Sequence, residues 1–122
     1  MVNQDRRRFI RIPAENIIAY SVLKDDGGID MAHSGYVHSR NISQGGILFT
    51  AFESFNIKTR VQMKLRIDTD ASKDENVGMI GEVVRCEKLP VGQKWDIAVH
   101  IKYIEQTKIE TFIHWLHKKI GN

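Results

Sequence analysis

Near the start of the chain, QDRRRFIRIP (residues 4–13) places Arg6, Arg7, Arg8 and Arg11 within six positions. A guanidinium group is planar, permanently charged and forked. It takes phosphate oxygens in pairs, reads the O6/N7 edge of guanine and stacks on a base face. Arg7 and Arg11 are four apart, so they share one side of the chain whether it is extended or coiled into a helical turn. A second stretch, RNISQGG at 40–46, sets Asn41 and Ser43 two apart, on one face of a strand, with Gly46 at the turn that follows. Asparagine and serine carry short donors and acceptors that reach a base edge or a sugar, and glycine permits positive φ and a close approach of ligand to backbone. Each stretch also has a plain structural reading, as a solvated basic arm and as a hairpin turn.

Charge placement narrows the chemistry. Residues 1–12 hold four arginines against Asp5, and the remaining residues carry 14 Lys and Arg against 14 Asp and Glu, so the whole net charge of +3 sits in the arm. A protein that tracks a long nucleic-acid backbone usually spreads its charge over a face. A localised cluster suits a small, strongly anionic ligand, while an arm lying on RNA or lipid stays open on composition alone.

The body reads as strands. NIIAYSVL (16–23) is rich in β-branched and aromatic residues, and the KDDGG after it is turn chemistry. GYVHSRNIS (35–43) alternates weakly before GG and ILFT. In RVQMKLRID, Val61, Met63, Leu65 and Ile67 alternate with Arg60, Gln62, Lys64 and Arg66, a strand with one wet face. TDASKDEN reads as a loop, and in VGMIGEVVRC the glycines Gly78 and Gly81 suggest a bulge or a close backbone approach. LPVGQ is a turn. In WDIAVHIKY, Ile97, Val99, Ile101 and Tyr103 point one way and Asp96, His100 and Lys102 the other. The period then lengthens: Ile109, Phe112, Ile113, Leu116 and Ile120 mark one amphipathic helix, with Trp115 beside its stripe and His114 facing water. No helix separates the strands, which excludes a parallel α/β sheet. The pattern predicts a mainly β fold, a small antiparallel barrel closed or covered by the last helix.

Several function classes find no support. No acid, base and nucleophile set is visible, and no Gly-rich phosphate loop of the Walker or dinucleotide type occurs, so an enzyme is not expected. His114 with His117, and His33 with His38, lack a third and fourth ligand at familiar spacing, so no metal or other cofactor is expected. Cys86 is the lone cysteine, which suits a reducing compartment. Apolar runs are shorter than a membrane span, and the start does not read as a signal peptide, so no membrane insertion and a cytoplasmic location are expected.

The ordered pair Arg7-x-x-x-Arg11 and, about thirty residues on, Asn41-x-Ser43-x-x-Gly46 resembles the signature of PilZ domains, bacterial receptors for cyclic di-GMP. GGILF, VQMKLRI, VGMIGEVVRC and DIAVHI follow in the family's order, over roughly residues 5–104. Ala98 and His100 depart from the glycine and aromatic the family often has in the DIAVHI strand, which touches barrel packing more than ligand binding. The resemblance implies a six-stranded antiparallel β-barrel at 14–104, a flexible basic arm at 1–13 that closes over the barrel face on ligand, and a C-terminal α-helix at 105–120, all in one domain of residues 1–122. It implies that Arg7 and Arg11 contact phosphate and guanine, that Asn41 and Ser43 contact a guanine, and that Gly46 shapes the loop. Arg6, just before the motif, resembles family members that take two stacked cyclic di-GMP molecules. A downstream protein partner is expected, and DNA or RNA is not. Two alternatives remain, a ligand-independent PilZ-like adaptor and a small nucleic-acid-binding barrel. The basic strand face of Arg60, Lys64 and Arg66 has no aromatic for base stacking, which weighs against the latter.

Overall fold

The computed structural model describes residues 12–13, 16–69 and 74–121. Seven strands precede a short 3-10 turn and a helix: β1 (Ile12–Pro13), β2 (Ile17–Leu23), β3 (Ile29–Ile42), β4 (Gly46–Ala51), β5 (Arg60–Asp68), β6 (Asp74–Lys88), β7 (Trp95–Ile104), the turn Gln106–Lys108, and α1 (Ile109–Gly121). All pairings are antiparallel. The sheet runs β1-β3-β2-β5-β6-β7-β4, and β4 pairs back onto β3, so β2 to β7 form a closed six-stranded barrel. The two residues of β1 lie on the edge of β3 beyond the end of β2.

Alternation does most of the building. In β5, Val61, Met63, Leu65 and Ile67 are all 0% exposed while Arg60, Lys64 and Arg66 face water. Ile18 and Tyr20 from β2, Val77, Met79 and Val83 from β6, and Ile97 and Val99 from β7 fill the same interior. The polar stretch read as a loop is partly strand, since Asp74, Glu75 and Asn76 extend β6 and pair with Asp68, Ile67 and Arg66. Gly81 is a close approach, as expected: a Cβ there would collide with Val99 Cγ1 and crowd the His100 carbonyl oxygen.

Bulges change which face a strand presents. In β7, Gly81 opposes Ile101 and Ile80 opposes Tyr103, leaving Lys102 as an extra residue. Parity reverses there, so Tyr103 is exposed and Ile104 packs against the core, contrary to the simple alternation read from WDIAVHIKY. A second extra residue, Val84 in β6, turns Cys86 toward the core after Val83.

The helix stripe is also rotated from the sequence reading. Phe112, Trp115 and Leu116 are buried, whereas Ile109 is exposed. Ile120's side chain lies outside the described residues. Trp115 therefore belongs to the core, stacked on Phe112 at 6.3 Å, and its indole N–H donates to Asp68 Oδ1 at 3.0 Å. That polar handle is why a tryptophan can sit at the rim of an apolar interior. The bond from Trp115, reinforced by the Asp68 backbone and Lys119, holds the Asp68 carboxyl below its ordinary pKa. Helix α1 lies against β1 and β5.

The seam between β3 and β4 is closed in a different way. Their ladder spans only Ser39 to Ile42. Alongside the rest of β3 runs the connection from β4 to β5, where Phe55 packs edge-on against Tyr20 and Glu53 takes hydrogen bonds from two sides. The Tyr20 hydroxyl donates to Glu53 Oε2 at 2.7 Å, and His33 Nδ1 lies 2.6 Å from Glu53 Oε1. His33 gets there through a bulge: Ser21 opposes Ser34 and Val22 opposes Asp30, so Met31, Ala32 and His33 loop out of the ladder. Burial, then the bond to Glu53, pushes the Tyr20 phenol well above its ordinary pKa.

Histidine at this latch makes stability depend on pH. The hydrogen bond to Glu53, then its charge, with a smaller contribution from Asp30, raises the His33 pKa above 6.5. The folded state thus favours the proton, and the added stability is complete below the ordinary histidine value and is lost as pH rises through the raised one. The difference in melting temperature between wild type and His33→Gln should be largest in mildly acidic buffer and shrink toward alkaline pH. A difference that stays constant from acid to alkaline pH would sink this account.

Candidate functional site

The hairpin from β3 to β4 is organised by Ser43. Its backbone N–H donates to Gly46 O at 2.9 Å. Its hydroxyl oxygen accepts from Gly45 N–H at 3.2 Å and Gly46 N–H at 3.1 Å. Ser43 is 5% exposed, and its hydroxyl ties two backbone donors. The loop is then fastened to β7, where Ile101 N–H donates to Gly45 O at 2.9 Å.

Gly46 is needed for a reason other than turn conformation. Positive φ occurs among the described glycines at Gly27 and Gly92, and Gly46 is not one of them. Its requirement comes from β7: a Cβ at Gly46 would stand 2.8 Å from Val99 O, a backbone atom fixed in the ladder. The expected close approach is real, but the neighbour is the protein's own strand.

Asn41 sits one residue before the buried Ile42 and pairs with Leu48 on β4 and Pro13 on β1. It faces outward because of another bulge. Ser39 opposes Phe49 and Asn41 opposes Leu48, so Arg40 is the extra residue. Val37 and Ser39 point into the barrel, and after the bulge Ile42 does, which turns Asn41 to the outer surface. Buried Ser39 is satisfied by Asn16, whose N–H donates to its Oγ at 2.9 Å. On the same outer surface Leu48 opposes Ala98, and Ala98 opposes Arg85, a cross-strand row that starts at Asn41. Leu48 and Ala98 are 9% and 5% exposed yet stand apart from the interior cluster. The Ala98 position therefore sits in an unbroken ladder with β4, while on its β6 side the Val84 bulge lies next to it.

Arg6, Arg7 and Arg11 lie outside the described residues. Their chain continues into Ile12 and Pro13, which pair with Ile42 and Asn41. The backbone that carries the arginines is therefore attached beside the Asn41–Gly46 hairpin, although the two stretches are about thirty residues apart in sequence.

Residues that the sequence did not single out complete the surroundings. Arg40 Nη1 donates to both carboxylate oxygens of Asp96, at 2.9 and 2.8 Å, and Thr50 Oγ1 donates to Asp96 Oδ1 at 3.1 Å. Arg40 and Asp96 are 56 positions apart, so only the register of three strands brings them together. Among the described residues, no group of three or more His, Cys, Asp or Glu side chains is arranged to hold a metal, and no helix is long and apolar enough to cross a membrane.

A closed antiparallel barrel with this hairpin and a flanking helix is the architecture of a known family. The PilZ domain model matches residues 5–118, a span that holds both arginine and Asn-Ser-Gly stretches. The chain belongs to the PilZ domain family. Among solved structures it is similar to the Bacillus subtilis inhibitor of motility (MotI/DgrA), at 18% identity and TM-score 0.73, covering 96% of this chain. It spans 51% of that protein's length. It is also similar to the PilZ domain of YcgR from Escherichia coli, solved with c-di-GMP, at 11% identity and TM-score 0.55, covering 88% of this chain and 86% of that one. At these identities the likeness is one of fold. No curated protein matches the sequence.

The hairpin geometry gives a stability test. Ser43→Ala leaves two partly buried N–H donors without their acceptor and should cost about 1–3 kcal/mol. Gly46→Ala drives a Cβ into a fixed carbonyl and should cost at least as much, on the order of 1–3 kcal/mol or more. Urea unfolding measures both. If either variant unfolds like wild type, the described hairpin bonds do not hold the loop.

Proposed function

We propose that this chain is a non-enzymatic receptor for cyclic di-GMP that changes conformation on binding and signals to a protein partner. The observation that carries the reading is the pairing of Ile12–Pro13 with Asn41–Ile42. In this reading the chain that follows Arg11 pairs beside Asn41, which supports the two ordered motifs converging on one ligand. The ligand has two phosphates and two guanines, and arginine addresses both groups. In this reading Arg7 and Arg11 clamp phosphate and guanine edge, and outward-facing Asn41 offers its amide to a guanine. Ser43 acts on the ligand through the loop it ties, presenting the Gly45–Gly46 backbone. The YcgR PilZ domain was solved with c-di-GMP, and this chain shares its fold.

Signal output follows from where β1 lies. Ile12–Pro13 is flanked by the site strand β3, with which it pairs, and α1, which lies against it. A ligand that fixes the arm therefore biases the position of β1 and, through it, of the helix. The shift is limited to the ligand's differential affinity for the two arrangements. The proposed organisation is one domain of residues 1–122 in the cytoplasm, with a ligand-binding arm at 1–13, the barrel at 14–104 and the helix at 105–120. Nucleic acid is not a partner in this reading, because the charge of the body is balanced.

Isothermal titration should show heat with cyclic di-GMP, and cyclic di-AMP should compete poorly because guanine edges set the choice. Arg11→Ala should weaken binding by about 1–3 kcal/mol with the barrel still folded. Silence at high micromolar cyclic di-GMP would overturn the receptor reading in favour of a ligand-independent adaptor.

Stoichiometry tests Arg6 separately. A second stacked dinucleotide brings two more phosphate charges into a small site, and an extra guanidinium offsets that repulsion and can stack on an exposed guanine. Wild type should take two ligands per chain and Arg6→Leu one. One ligand in both would leave Arg6 as ordinary arm charge.

A further inference from the structure

We infer that Arg40 and Asp96 are positioning residues for the ligand site, because their ion pair pins the bulge that turns Asn41 outward. The inference deepens the receptor reading above and rests on it for its ligand. A bulge residue is unpaired in the ladder, so its backbone is the softest point of the strand unless something else holds it. Here the other edge of β3 is broken at the same place: the last β2 pair is Ile17 with His38, and β1 begins at Pro13 with Asn41. Around Arg40, β3 therefore changes neighbour on one edge and register on the other.

The side chain supplies what the ladder lacks. Arg40 reaches across β4 to Asp96 on β7, and Asp96 is itself oriented by the Thr50 hydroxyl on β4. The pair thus spans three adjacent strands. Asp96 is the more sheltered partner, with 19% of its side chain exposed against 52% for Arg40. Loss of the pair frees the backbone at Arg40. Burial of Ile42 keeps the register, so the bulge loosens rather than disappears, and Asn41 loses its fixed outward orientation. Arg40 and Asp96 then act on the ligand through Asn41 without touching it.

A double-mutant cycle separates this role from direct contact. Binding of cyclic di-GMP is measured for wild type, Arg40→Ala, Asn41→Ala and the double variant, with Asp96→Asn as a second way to break the pair. Positioning predicts a loss of about tenfold for Arg40→Ala and Asn41→Ala alike, and about tenfold, not a hundredfold, for the double. Additive losses would make Arg40 a direct contact and overturn the inference. Unchanged affinity in Arg40→Ala and Asp96→Asn would also overturn it while leaving the receptor reading intact. A companion measurement does not depend on ligand. In the 15N spectrum of the unliganded protein, Arg40→Ala and Asp96→Asn should both move the Asn41 side-chain amide and the Leu48 backbone amide. If those resonances stay in place, the pair does not hold the bulge, whether or not wild type binds cyclic di-GMP.

Discussion

A sheet that closes on itself has to seat its last strand between two neighbours already in position, and here that strand is β4. Its six residues pair with β7 along their whole length and with β3 over three register pairs. The approach to β7 is so close that residue 46 has room for no side chain, because the Val99 carbonyl occupies the space. The turn into β4 is held by a buried serine hydroxyl bound to two backbone N–H groups. Closure removes free edges from most of the barrel, and Ser43 and Gly46, which help achieve it, lie in the stretch that the sequence reading singles out. Asn41, Ser43 and Gly46 are thus part of the wall before they are part of any site. Any site built on them would inherit its rigidity from barrel closure.

Strand parity is the second organising constraint. Four irregularities, at Met31–His33, Arg40, Val84 and Lys102, each exchange the inward and outward faces of a strand or loop residues out of it. Each has a visible consequence: His33 meets Glu53, Asn41 turns outward, Cys86 turns inward, and Ile104 replaces Tyr103 against the core. Without these shifts β3 could not serve β2, β1 and β4 in succession. A strand that runs 14 residues around a small barrel must bend, and extra residues in the ladder are how a pleated strand bends.

These irregularities also mark where sequence reading succeeds and where it stops. β5 is free of them, and its period-two pattern in Val61, Met63, Leu65 and Ile67 matches its burial residue by residue. The weak alternation of GYVHSRNIS is the trace of the Arg40 bulge, legible as irregularity but not as a position. Tyr103 departs from the simple alternation because one inserted residue inverts everything after it, and no local signal marks Lys102 as that residue. On the helix, Ile109 and Trp115 exchange roles because the face α1 buries is set by the barrel rim and by Asp68, features remote in sequence. Of the site, the motif residues were legible because arginine, asparagine, serine and glycine are distinctive at fixed spacing. Arg40, Thr50 and Asp96 were not, since exposed charges and hydroxyls at unremarkable spacing become partners only through the register of three strands.

Charge in the barrel is arranged differently from charge in the arm. Arg40, Arg66, Arg85, Lys102, Lys108 and Lys119 each stand within ion-pair distance of a carboxylate, mostly on the same strand or a neighbouring element. Exposed pairs of this kind add little stability, typically under about 1 kcal/mol each. Their effect on the surrounding field is larger, because a paired cation presents a dipole where an isolated one presents a monopole. Across residues 13–122 the positive and negative charges balance, 14 against 14. Residues 1–12 carry four arginines against one aspartate, a net charge that the rest of the chain does not share. For the receptor proposed above, that asymmetry would draw a dianionic ligand toward the place where β1 joins β3. Screening at physiological salt, with a Debye length of about 8 Å, confines that attraction to the immediate neighbourhood of the arm.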